Sequence, residues 1–305
     1  VPDTFEQALA APGAPLVLDG GLATELEARG NDLSGTLWSA RLLRDAPEEV
    51  VAAHAAFFTA GADIAITASY QASFSGFAAA GIGHDETVSL LRRSVEVARQ
   101  ARDQLPGDGR PRWIAASVGP YGAALADGSE YRGRYGLGAA ELADFHRARL
   151  EVLADSGADL LALETVPDQD EAVALLSALD GLGVPVWLSY TVEGGRTRAG
   201  QPLEEAFAVA AEHEDVVAVG VNCCAPAEVL PAAEVARRVT GKPVIAYPNS
   251  GETWDAAGRR WTGHSEFDVD LRDWIAAGVQ IAGGCCRVGP AQISAIAARL
   301  SECCS

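Results

Sequence analysis

No apolar run in this 305-residue chain approaches the ~20 residues that a membrane span requires. Its first segment, VPDTFEQALAAPGAP, also lacks a basic stretch followed by an apolar one. Both absences predict a cytoplasmic protein with no membrane partner. Basic residues are scarce: 23 Lys and Arg stand against 42 Asp and Glu, for a formal net charge of -19. A field of that sign repels polyphosphate, so nucleic acid and anionic lipid are excluded and small molecules are left as partners. No GxGxxG follows any apolar run, which removes the fingerprint of a dinucleotide-binding open sheet. Lysine occurs once, at Lys242, before a predicted strand and so at the wrong end for a Schiff base in a barrel.

What is present has ordinary globular composition, 49% hydrophobic and 21% charged, with length for one large barrel or two smaller domains. Apolar runs of strand length fall at Leu16–Leu18, Ile64–Thr67, Trp113–Val118, Leu160–Leu163, Val186–Tyr190, Val216–Val221, Val244–Tyr247 and Val279–Ala282. Each is nearly continuous rather than alternating, as in parallel strands buried on both faces. Helical spacing fills the gaps, at Glu48–Ala60, Glu86–Gln104, Ala139–Ser156, Asp170–Leu179, Leu203–Glu212, Ala227–Val239, Glu266–Ala277 and Pro290–Leu300. Gly61, Gly157 and Gly278 suit the left-handed position that ends a helix. Eight such units predict an α/β fold, a single (β/α)8 TIM barrel over residues 1–305, with a doubly wound open sheet as the alternative.

In a barrel the C-terminal strand ends converge on one site. They carry Asp19, Thr67, Glu164, Asn222 and two pairs of adjacent cysteines, Cys223-Cys224 in VGVNCCAP and Cys285-Cys286 in IAGGCCRVGP. Neighbouring cysteines rarely bridge each other, and the pattern is unlike a secreted disulfide framework. Three readings remain: metal ligands, small buried hydrophobes, or a redox dithiol. Placement at strand ends and the lack of CxxC spacing favour the metal, with Cys223, Cys285 and Cys286 as three thiolates on zinc and a fourth position open. Gly283 and Gly284 supply a flexible approach for the adjacent pair.

The segments DGGLATELEARG, LWSARLL, AITASYQASFSGF, SVGPYGAALADGSEYRGRY, LLALETVP, GVNCC, YPNSGETWD and GGCCR resemble the homocysteine S-methyltransferase family, colinearly from about Leu18 to Arg287. The ADGSEYRGRY segment points to its S-methylmethionine-dependent branch. The resemblance implies that Cys223, Cys285 and Cys286 bind Zn2+ and act as the catalytic centre, with the homocysteine thiol in the open position. It also implies transfer of a methyl group from S-methylmethionine, or S-adenosylmethionine, to that thiol, giving methionine. Asp19 and Glu164 are expected to hold the homocysteine amino group, Thr67 to contact the amino acid, and Asn222 to contact substrate or order the backbone beside Cys223. Trp38, Tyr121, Tyr131 and Trp254 are candidates for holding a sulfonium by cation–π attraction.

Cys224 is read as packing, Cys303 and Cys304 as incidental, and His54, His146 and His213 as surface or packing residues, with His264 near the site at most. Alternatives to the methyltransferase are a Schiff-base barrel enzyme and a non-enzymatic zinc- or thiol-binding barrel, for which a closed four-cysteine site is expected. A methyltransferase acting mainly on selenocysteine or selenohomocysteine is a further alternative. A monomer or small homo-oligomer is expected.

Overall fold

The computed structural model describes residues 4–11, 13, 15–33, 38–255, 260–263, 265, 267 and 269–303, excepting the side chains of 38–39, 253–255 and 260–261. Eight parallel strands form the frame: β1 Leu16–Val17, β2 Ile64–Ile66, β3 Trp113–Val118, β4 Leu160–Val166, β5 Val186–Tyr190, β6 Val216–Asn222, β7 Val244–Tyr247 and β8 Val279–Ala282. Neighbours run in the order β1-β8-β7-β6-β5-β4-β3-β2. A parallel bridge from Leu18 to Ile64 brings the two ends of that order together, so the sheet closes on itself. Each strand is followed by one longer helix: α1 Pro47–Thr59, α2 His84–Asp103, α3 Ala139–Ala154, α4 Gln169–Ser177, α5 Leu203–Ala211, α6 Val229–Thr240, α7 Leu271–Ala276 and α8 Pro290–Cys303. This is the predicted (β/α)8 barrel.

Burial on both strand faces follows from two apolar layers. The outer one packs helices on the sheet, with Ala65, Ile114, Ala116, Leu161, Leu163 and Leu188 turned outward. The inner one fills the barrel with Leu18, Ile64, Trp113, Ala115, Leu160, Ala162, Trp187, Ala218, Ile245 and Ile281. Below it lies an element absent from the sequence reading, the helix Phe5–Ala10, whose Phe5 and Leu9 join the inner cluster. The Phe5 ring meets Trp113 edge-on, with centroids 6.0 Å apart. Burial of two such side chains contributes about 2 kcal/mol each, which keeps this short helix across the floor.

One predicted boundary needs correction. The helix expected at Glu266–Ala277 begins at Leu271, because Asp270 caps it, its carboxylate accepting from the Arg272 amide at 2.9 Å. Gly61 and Gly157 do end helices with positive φ, at 109° and 78°.

Candidate metal centre

Strands β6 and β8 deliver their cysteines to one point. The Sγ atoms of Cys223, Cys285 and Cys286 all lie within 4.8 Å of one another. Two sulfurs on one tetrahedral ion with bonds of about 2.3 Å stand about 3.8 Å apart, and Cys223 and Cys286 are 3.9 Å apart. Cys223 and Cys285 are paired with each other as a disulfide, with Cα atoms 5.6 Å apart. The expectation of free thiols therefore holds for Cys224 and Cys286 and not for that pair. An ion can take all three sulfurs only with the pair reduced.

The loop after β7 is the strut that brings the two cysteine segments together. The Cys223 amide donates to Tyr247 O (3.3 Å), the Asn249 amide to Cys224 O (2.9 Å), the Cys285 amide to Pro248 O (2.8 Å) and the Ser250 amide to Cys286 O (3.1 Å). Asn249 Oδ1 also accepts from the Cys286 amide at 3.2 Å. On the other side β8 meets β1 along a seam of glycines. A Cβ on Gly21 would stand 2.6 Å from Cys285 O, one on Gly283 2.7 Å from the Leu18 Cβ, and one on Gly284 2.5 Å from the Val288 Cβ. Gly283 and Gly284 both have φ outside the positive region, so the flexible approach expected of them is corrected. Gly283 lets two backbones touch, and Gly284 leaves room for the Val288 side chain. Strain sits instead at Cys223 and Arg287, non-glycine residues with φ of 48° and 67°.

Burial pushes the Cys286 thiol up to about 12, and the charges of Glu164, Glu130 and Glu27 push the same way. Ionising three thiols there requires a cation, and three soft donors with no carboxylate among them fit zinc. Cys224, also pushed up to about 12 by burial, sits in the outer apolar layer away from the cluster.

Above the inner apolar layer, strand alternation places a polar one. Two residues beyond Ala115, Ala162, Trp187 and Ile245 stand Ser117, Glu164, Ser189 and Tyr247, and Asn222 follows Ala218 by four. Glu164 accepts from the Ser117 hydroxyl and from the Tyr247 hydroxyl at 3.1 Å. Burial nevertheless raises its pKa to about 7. The Tyr247 oxygen also bonds Ser189 at 2.7 Å and accepts from Trp187 at 3.1 Å. Asn222 is committed elsewhere: its Oδ1 accepts from the Thr165 amide (2.7 Å) and the Ser189 hydroxyl (2.9 Å), and its Nδ2 donates to Thr165 Oγ1 (2.7 Å). It braces Thr165, which has a φ of 58°, one residue after Glu164.

Asp19 is wholly buried; Oδ2 accepts from the Ile66 amide at 2.9 Å, while Oδ1 has no partner among the described residues. Burial raises its pKa well above the carboxylate range. Thr67 bonds Ser69 at 2.7 Å and accepts from the Ser117 amide at 3.1 Å. Ser69 spends its only hydroxyl proton on Ser117 O, so Thr67 is the donor of that pair and keeps one lone pair, not a proton, for a ligand.

Other candidates lie elsewhere. Tyr121 is half-buried and packs against Tyr135 and Phe145, with centroids 5.1 and 4.8 Å away. His146 is buried between Glu171 (3.0 Å) and Arg149 (2.6 Å). Buried His54 is driven down to about 4 by desolvation and stays neutral. The Lys242 ammonium donates to His213 O and Val216 O, at the opposite end of the barrel from the thiols. His264, Cys304 and the side chains of Trp38 and Trp254 lie outside the described residues. The sequence reading missed Tyr247 and Ser117 as partners of Glu164, although YPNSGE and SVGPYG mark both strand ends.

The chain shares sequence and fold with known proteins. The family model for homocysteine S-methyltransferase matches residues 16–300. The chain is 44% identical to homocysteine S-methyltransferase 4 of Zea mays, covering 95% of this chain and 90% of that one. It is 43% identical to the selenocysteine Se-methyltransferase of Brassica oleracea var. italica, over 97% of this chain and 92% of that one. Among solved structures it resembles the metallated form of the homocysteine methyltransferase MmuM from Escherichia coli, with a TM-score of 0.86 and 42% identity over 96% of this chain and 98% of that one. With a family match spanning nearly its whole length, the chain belongs to the homocysteine S-methyltransferase family.

Proposed function

We propose that this enzyme transfers a methyl group from the sulfonium of S-methylmethionine to the thiol of L-homocysteine, with Zn2+ held by Cys223, Cys285 and Cys286. The observation that carries the reading is the gathering of three cysteine sulfurs, with a sequence separation of 62 residues between Cys223 and Cys285, within 4.8 Å of one another at the C-terminal strand ends of the barrel. Support for a metal comes from the metallated form of the similar MmuM. Bound there, zinc supplies the charge that keeps an incoming thiol ionised and nucleophilic near neutral pH.

The chain's own residues place the amino acid. Asp19 Oδ1, buried and unpartnered, accepts from the homocysteine α-ammonium, and Glu164 supplies the second carboxylate on the neighbouring side. Thr67 offers its remaining lone pair to the same ammonium. Asn222 holds Thr165, and with it the backbone next to Glu164, and touches no ligand itself.

In the reaction a bond forms between the homocysteine sulfur and the methyl carbon while the donor's carbon–sulfur bond breaks, its electron pair staying on the departing sulfur. The acceptor thiol's proton goes to solvent, and both products are methionine. No general base acts in the transfer step, so alignment of the two sulfurs is the main contribution.

A thiol-storage or structural zinc protein would close the site with a fourth cysteine. The adjacent Cys224 belongs to the outer apolar layer instead. Sulfur is preferred to selenium in the acceptor, on the family description. The test is zinc content together with methionine formation from homocysteine, comparing S-methylmethionine with S-adenosylmethionine side by side. One zinc per chain and turnover with S-methylmethionine are expected; a metal-replete protein inactive with both donors overturns the reading.

A further inference from the structure

Cys286 stands in a turn that its own sequence does not favour. The Val288 amide donates to Cys285 O at 3.1 Å, closing a four-residue turn with Cys286 and Arg287 at its centre. Arg287 has a φ of 67°, while Cys286 is outside the positive region. Negative followed by positive φ is the type II turn, which takes glycine at the second of these positions because a Cβ there crowds the next carbonyl oxygen. Cys223 and Cys285 are joined to each other, but Cys286 has no covalent partner. Its place in the cluster therefore depends on this turn.

The arginine is held there from two sides. Its amide donates to Thr24 Oγ1. Its guanidinium meets Glu252 twice, with Nε 3.0 Å from Oε2 and Nη2 3.5 Å from Oε1. That carboxylate also accepts from the Ser250 hydroxyl at 2.8 Å and is largely buried, at 14% exposed against 42% for the Arg287 side chain. Glu252 is the last residue before a two-stranded hairpin, Thr253–Asp255 with Arg260–Thr262. A two-point contact fixes geometry in a way that a single exposed ion pair does not. The same loop holds the Cys286 backbone through Asn249 and Ser250, so the turn and the loop are tied at three successive points.

We propose that Glu252 and Arg287 form a clasp that holds the Cys286 turn in the conformation that turns its sulfur to the metal, which makes Glu252 a positioning residue and not a ligand. This rests on the metal reading above. With the clasp opened, the peptide between Cys286 and Arg287 turns over, Arg287 returns to negative φ, and the Cys286 carbonyl leaves the Ser250 amide. The sulfur moves with it. A direct effect of charge on the ion has opposite signs for the two residues: loss of a nearby carboxylate weakens the hold on a cation, and loss of a nearby guanidinium strengthens it. The clasp requires that both losses weaken it.

The test is zinc affinity, measured by competition with a chromophoric chelator in protein reduced with a phosphine. Glu252→Gln and Arg287→Ala should each weaken zinc binding about tenfold, and the two together no more than either alone. Arg287→Gly should recover most of that loss, because glycine keeps the turn unaided, and Glu252→Gln added to it should change nothing further. Cobalt in place of zinc should show weaker thiolate charge-transfer absorption in Glu252→Gln and Arg287→Ala, with circular dichroism still that of the barrel. The two Arg287 variants decide the matter if Glu252→Gln does not fold. Wild-type affinity in the folded variants overturns the proposal, as do tighter binding in Arg287→Ala, losses that multiply in the double variant, or Arg287→Gly as weak as Arg287→Ala. If wild type itself takes up no zinc, the metal reading fails; if it does and the variants match it, only the clasp fails.

Discussion

The Tyr247 hydroxyl on β7 donates to Oε2 of Glu164 on β4 at 3.1 Å, joining two strands separated by β5 and β6. Through Ser189 and Asn222 the same chain of hydrogen bonds reaches Thr165. The Glu164 carboxylate is thereby fixed in place, at the cost of burial. In the folded protein Glu164 keeps its proton up to about pH 7, whereas the unfolded chain releases it near the ordinary value. Between those points the folded state binds more protons, so stability falls as pH rises through the window.

Glu164→Gln removes that loss. Above pH 7 the metal-free variant should be more stable than wild type by roughly 1–3 kcal/mol, read by urea unfolding at pH 5 and pH 8. The gain should vanish at pH 5 or below, while homocysteine binding is lost at every pH. A variant less stable at pH 8 would show that the hydrogen bonds to Ser117 and Tyr247 outweigh desolvation.

Cys285→Ser should leave zinc below one equivalent per chain and reduce turnover by about a thousandfold or more. Chelation of the wild-type enzyme should abolish methionine formation, and added zinc should restore it after treatment with a reductant that opens the Cys223–Cys285 pair. Elemental analysis alongside the activity assay checks both expectations.

Asn222→Ala strips Thr165 of two hydrogen bonds while leaving its φ of 58° in place. A loss of about 2–4 kcal/mol follows, measurable in denaturant. Thr165→Gly in the same background should recover about 1 kcal/mol, because glycine adopts positive φ without the Cβ clash.

Gly284→Ala tests the seam rather than the ligands. The new methyl meets the Val288 side chain, so the backbone bearing Cys285 and Cys286 must shift. Zinc affinity should fall at least tenfold while far-ultraviolet circular dichroism stays that of the barrel. Unaltered affinity would mean that the loop yields freely at this point.

The frame was readable because strands buried on both faces leave continuous apolar runs, and six of the eight expected helices lie within two residues of their predicted spans at each end. The thiol cluster was readable too, since strand ends in a barrel converge whatever their separation along the chain. What escaped notice depends on side-chain direction. YPNSGE shows a tyrosine at a strand end but not that its hydroxyl crosses to Glu164. The helix Phe5–Ala10 is too short for periodicity to reveal, and Gly283 and Gly284 look alike in sequence whether they serve flexibility or contact. Glu252 and Arg287 stand 35 residues apart, and a contact between side chains on two loops has no sequence mark.

The glycine seam has a bearing on assembly. Arg287 donates its amide to Thr24 at 2.9 Å across 263 residues, and Gly284 donates its own to the carbonyl of Asp19. Cys285 and Cys286 are therefore located by the segment that follows the first strand, so the chelate needs the ring to be closed. Metal uptake during refolding should trail the appearance of helical structure, so capture of the ion reports that the circle has been completed.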